Sequence, residues 1–308
     1  MAAAVALVGN GLAWLGSSSA FIAGCLLCGA GFGVLLNVTN RLVASSSTPQ
    51  RGYAVVQLVE VLFCIGFFLV VPPIIERFGI LSVFAALAAL CAGVFLLLAG
   101  VPFSTQGPAA KLRRGSTPSN TGAAVLSLCA AAVLFAGQSS VNSSLVPIGA
   151  AAGLSVVWVG RVISLGLLAS LAGAAIARGL GERAGLLLPL LAGAGVLGCD
   201  MLVVTLRGGA AVFIGGAIVL FMSIVFLLPY VYALLAELDK AGRWASIAPG
   251  FVLTGWALGP GIAGIVSRGV DFTLLGYAAM ACIAAAMALF LCAQRLRLRG
   301  GCESAAKA

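Results

Sequence analysis

The sequence predicts an all-α polytopic membrane protein of about ten transmembrane helices, arranged as two helical bundles. Three observations carry this expectation. Apolar residues make up 62% of the 308-residue chain and charged residues 8%, against roughly 45–50% and 25% in soluble domains. The excess recurs in runs near the ~20 residues needed to cross a bilayer. The basic residues gather in the short loops between those runs, and mostly in alternate loops.

In order along the chain, the candidate spans are about 2–16, 19–44, 53–75, 78–101, 121–148, 153–177, 184–206, 209–236, 246–267 and 271–294. Each ends at charged residues or at a Gly, Ser or Pro break. The first, "MAAAVALVGNGLAWLG", is short for a span and lacks the basic start of a signal peptide. The longest polar stretch, "PFSTQGPAAKLRRGSTPSNTG", is rich in Pro, Gly, Ser and Thr and reads as a linker between bundles. The expected organisation is a four-span bundle over 1–101, a cytoplasmic linker over 102–120, a six-span bundle over 121–296 and a cytoplasmic tail over 297–308.

Charge fixes the direction. Of the 17 basic residues, thirteen fall in loops on one side, three (Arg77, Arg207 and Arg268) on the other, and Arg161 lies within a span. The positive-inside rule makes both termini cytoplasmic, in a plasma or inner membrane. The same distribution explains the net charge of +9 without a nucleic-acid partner. Eight of nine cysteines lie inside apolar runs, as packing residues do. Cys25 and Cys28 form a CxxC, but the chain has no histidine and no second pair at zinc spacing, so neither metal nor cofactor is expected.

Six spans after a basic central loop resemble the second half of a major facilitator superfamily transporter. "AIARGLGERAG" stands where that family has a Gly- and Arg-rich loop, with Gly181 and Arg183 at matching positions. "GWALGPGIAG", holding Gly255, Gly259 and Pro260, resembles the glycine- and proline-rich eleventh helix. "AGFGVLLNVTNRLVASSSTPQRGYAVVQ" resembles the fourth helix, its turn and the start of the fifth. On this alignment the ten spans are family helices three to twelve. The first two, with the loop after them, have no counterpart, which implies either a truncated chain or a divergent ten-span member. The rival is a drug/metabolite exporter, also of ten spans but built as five plus five, whereas the linker here divides four from six.

The resemblance implies a secondary transporter that moves a small organic solute by alternating access. Polar residues inside spans are then the site candidates. Glu60 lies in "YAVVQLVEVLFCIGFFLVV", with Gln57 one turn before it. An intramembrane acid points to an ion path or to a bond that locks the bundle. The cheapest state of a carboxyl in hydrocarbon is the neutral one, and an acid within a span with no nucleotide-binding motif in the chain makes proton coupling the expected energy source. "FAGQSSVNSSL" offers Gln138 and Asn142, one turn apart, on what the resemblance makes a cavity-lining helix. Asn37 falls on the family's fourth helix, and Ser223 and Tyr230 on its tenth, where the tyrosine also reads as an interfacial anchor. Arg161 and Asp200 sit at similar depth on consecutive spans and are expected to pair, since pairing offsets the cost of burying either charge. Arg161 alone would instead attract an anionic solute. Gly255 and Gly259 form a G-x-x-x-G suited to close helix contact, and Pro260 can bend its helix.

No enzyme is expected: the acids are scattered and there is no phosphate-binding G-x-x-x-x-G-K-[ST]. The expected partners are the solute, protons and the bilayer. A non-transporting scaffold or receptor derived from a carrier is the remaining alternative.

The topology is open to test with thiol chemistry. A Ser116→Cys variant in a cysteine-free background should resist an impermeant reagent applied to intact cells and react after permeabilisation. Ready labelling from outside would reverse the orientation.

Overall fold

A computed structural model describes residues 2–15, 17–44, 49–99, 121–180, 185–206, 208–238, 243–267 and 271–306. The described chain is helical, and eight of its helices are long and apolar enough to cross a membrane. That is the architecture of a polytopic membrane protein. Two further expected spans correspond to shorter apolar helices, at Ala2–Trp14 and Ser82–Leu97. The chain divides into two compact units, Met1–Lys111 and Leu112–Ala308. The linker expected over 102–120 lies outside the described residues.

The first unit holds α1 (Ala2–Trp14), α2 (Ser18–Ala44), α3 (Pro49–Phe78) and α4 (Ser82–Ala99). Helix α1 packs on α2 and α4. A Cβ added at Gly24 would lie 2.5 Å from the carbonyl oxygen of Gly9, so α1 and α2 meet backbone to backbone. Asn10 is buried there, and its Nδ2 donates to the carbonyl of Ala6 at 2.9 Å and to Cys91 Sγ of α4 at 3.7 Å. Phe21 and Phe84 join α2 to α4 edge to face, their ring centroids 5.5 Å apart. Cys28 of the CxxC donates to the carbonyl of Ala6 at 3.6 Å, a packing contact with α1.

The second unit holds α5 (Thr121–Asn142), α6 (Leu145–Ala151), α7 (Val156–Leu180), α8 (Leu187–Thr205), α9 (Gly209–Leu238), α10 (Arg243–Val266) and α11 (Thr273–Ala306). Helix α5 is its centre: it is the most deeply buried of the candidate spans, with Leu128, Leu134 and Phe135 enclosed. It packs on α10 and α11; α11 packs on α8, and α9 lies against both α8 and α7. The outer faces are apolar but exposed, as at Leu188, Val196, Leu258 and Ile265. Side chains of that kind call for a lipid surround rather than water.

One expected span is corrected. The run 121–148 does not continue as one helix but breaks at 143–144, and α6 follows. The hydroxyls of Ser143 and Ser144 both donate to the carbonyl of Ser140 at 3.1 Å, drawing the chain into a turn. Pro147 then removes a backbone donor that a continuous helix would use. At the other end of the unit, α11 runs through Arg295, Arg297 and Arg299 to Ala306, so the expected tail continues the last helix.

Glycines set the α5–α10 spacing. A Cβ added at Gly255 would collide with the carbonyl of Ala132, and one at Gly259 with Ser139. Gly261, also on α10, has nothing within 4 Å. Gly255→Ala should therefore cost about 1–3 kcal/mol by forcing the helices apart. Gly261→Ala should be neutral or stabilising by up to ~1 kcal/mol, the helix-propensity gain. Thermal melts in detergent check the contrast, and equal melting temperatures would contradict this packing.

Candidate functional site

Helix α5 carries a polar band on its buried side. Ser139 reaches α10 and donates to the carbonyl of Trp256 at 2.8 Å. The Trp256 indole meets Phe135 edge to face at 5.9 Å. Ser140 turns back on its own helix, donating to the carbonyl of Gly137 at 2.7 Å. Gly137 lets α11 close in, since a Cβ there would lie 2.7 Å from that of Cys282.

Gln138 and Asn142 differ from these serines. They stand one turn apart on the same face. Gln138 is 2% exposed. Its Oε1 and the Oδ1 of Asn142 are both buried with no hydrogen-bond partner. A buried acceptor left unpaired costs roughly 1–3 kcal/mol, so this face is destabilising unless something donates to it. Two amide oxygens at one-turn spacing suit a solute with N–H or O–H donors.

The expected ion pair between Arg161 and Asp200 does not form. Helices α7 and α8 follow one another in sequence, but each packs on α9, which lies between them. Arg161 is exposed near the start of α7, with its guanidinium carbon 4.9 Å over the Trp158 ring. Stacking on an aromatic face satisfies the cation at an apolar surface. Asp200 is buried on α8, and its Oδ2 has no hydrogen-bond partner. The W-x-x-R spacing that places Trp158 under Arg161 was available in the sequence; Gly216, which faces Asp200 from α9, carried no such signal.

The other candidates divide by unit. In the first, Glu60 is exposed on α3 among the apolar side chains of Val59, Leu62 and Phe63. Gln57 on α3 and Asn37 on α2 lie within helices, but their side chains are outside the described set. In the second, Ser223 is buried on α9. Tyr230 is buried too, and its hydroxyl donates to the carbonyl of Ala177 on α7 at 3.3 Å, which makes it an interhelical tie. Gly255 and Gly259 face α5, while Pro260 is exposed on α10. Gly181 and Arg183 lie outside the described residues.

A cleft of about 590 Å³ opens at one end of the second unit, lined by Leu186, Leu187, Leu234, Glu237, Gln294 and Arg297 among others. Arg297 pairs there with Glu237 at 2.5 Å, joining the end of α9 to α11. Both partners are substantially exposed, so the pair contributes little to stability. None of the expected site residues lines this cleft. No protein-family profile matches the chain, and no curated protein matches it.

Proposed function

We propose that the chain is a secondary active transporter of the major-facilitator type, moving a small organic solute by alternating access with proton coupling. The observation that carries this reading is the α5 face, where the oxygens of Gln138 and Asn142 are buried and unpartnered. A helix that serves packing alone loses stability by keeping them. A carrier uses such groups to take donors from its solute. The division of the chain near residue 111 supports the same reading. Four helices precede it and six long ones follow, as the facilitator alignment expects and a five-plus-five exporter does not. The bias of the basic residues supports cytoplasmic termini in a plasma or inner membrane. Glu60 is the coupling candidate of the first unit, as a carboxyl within an apolar span.

Two results test the proposal in proteoliposomes, using labelled amino acids, monocarboxylates, sugars and organic cations as solutes. Gln138→Met removes an unpartnered polar group while keeping volume. It should hold or raise the melting temperature, yet lower flux of the transported solute about tenfold, equivalent to roughly 1.4 kcal/mol. Unchanged flux would make Gln138 a packing residue. Glu60→Gln should fold normally and lose accumulation driven by a pH gradient, while gradient-independent exchange of solute survives. Undiminished pH-driven accumulation would remove Glu60 from coupling.

A further inference from the structure

Asp200 is a second acid within a span, and neither packing nor the α5 face uses it. Asp200 is 8% exposed and its Oδ2 has no hydrogen-bond partner. It stands on the seam between α8 and α9. A Cβ added at Gly216 of α9 would lie 3.2 Å from Asp200 Oδ1 and would collide with Val204. The carboxyl thus occupies room that exists because α9 carries no side chain there. Along α8, Leu197, Met201 and Val204 are buried, whereas Val196, Cys199 and Val203 are exposed. Asp200 therefore sits at the edge of the seam, next to the outer surface of the bundle.

The titratable groups of the elements around it are distant or turned elsewhere. On α9, Tyr230, Tyr232 and Glu237 lie fourteen or more residues beyond Gly216, about 21 Å along the helix. On α11, Tyr277 is exposed and Cys282 faces Gly137 of α5. On α5, the level of Asp200 is near Gly137, since Gly137 meets Cys282 of α11 and Gly198 of α8 meets Ile283 beside it; Cys129 lies about 12 Å further along that helix. On α8 itself, Cys199 is exposed. Arg207, just past the end of α8, lies outside the described residues.

An ionised carboxylate buried without a partner costs far more than the neutral acid. Shear between packed helices is a standard small motion, and a glycine contact offers the least resistance to it. We propose that Asp200 is a proton-binding site of the second unit. It holds a proton while the α8–α9 seam is closed and exchanges it with water when α8 slides past Gly216. The proton comes from water on one side of the membrane, adds to a carboxylate oxygen, and returns to water when the seam opens. The site deepens the proton-coupled reading, on which its purpose rests, by giving the second unit its own carboxyl.

Infrared spectroscopy tests it without a transport assay. The chain has three aspartates, Asp200, Asp239 and Asp271. Asp271 is exposed and its Oδ1 accepts from the backbone N–H of Thr273. The full chain is reconstituted with aspartate isotopically labelled at the side-chain carboxyl. At neutral pH, a protonated-carboxyl band should shift with the label, vanish in Asp200→Asn and persist in Glu60→Gln. The wild-type arm stands even if Asp200→Asn fails to fold. Gly216→Ala, which wedges the seam, should speed deuterium exchange of that band several-fold. Absence of a label-shifted band in the wild type would overturn the proton site, and unchanged exchange in Gly216→Ala would overturn the seam as its gate. The two readings fail separately. A labelled band in a protein that couples no solute to protons sinks the transport reading alone. No labelled band in a protein that does couple sinks the Asp200 site alone.

Discussion

The second unit depends on the close approach of α5 to its two neighbours. In a bilayer no hydrophobic gain drives helices together, because lipid tails are as apolar as the side chains they would replace. Association rests on dense backbone contact. Gly255 and Gly259 supply it towards α10, and Gly137 towards α11. At that spacing Ser139 can reach the carbonyl of Trp256 and Phe135 can meet its indole. The hydrogen bond adds roughly 0.6–2 kcal/mol. Its larger effect is orientation, because fixing α5 between α10 and α11 turns Gln138 to the inside of the bundle.

Polar groups in this chain fall into two kinds. Most find partners: Asn10 with Ala6 and Cys91, Tyr230 with Ala177, Arg161 with Trp158, and Glu237 with Arg297. Within the helices, Gln138, Asn142 and Asp200 instead keep buried oxygens without one, as does Ser267 just past the end of α10. Apolar replacements of similar volume would pack at least as well. On the transport reading these atoms are kept for a step other than folding, and the helical three lie on α5 and on the α8–α9 seam of the second unit.

Much of the fold was legible because each span is its own apolar run. Helix order and the close contact at the G-x-x-x-G of Gly255 and Gly259 followed from local spacing. What failed needed information that spacing does not hold. The break after Asn142 arises from Ser143 and Ser144 bonding back onto Ser140, inside a stretch that stays largely apolar. Arg161 and Asp200 were matched in depth but not in neighbourhood, since α9 lies between their helices. Of the site, the polar residues of α5 could be named from sequence. That two of them would be left unpartnered could not, because partnering depends on which helices pack around them.

The central claim is that the α5 face meets water from each side of the membrane in turn. The most direct measurement is thiol accessibility of Asn142→Cys in a cysteine-free chain, within sealed vesicles of known orientation. Impermeant reagent is applied from one face or the other under a pH gradient of either sign. Alternating access predicts labelling from both faces, with the two rates moving in opposite directions when the gradient is reversed. A thiol inert from both faces under every gradient would contradict it and leave α5 a sealed packing helix.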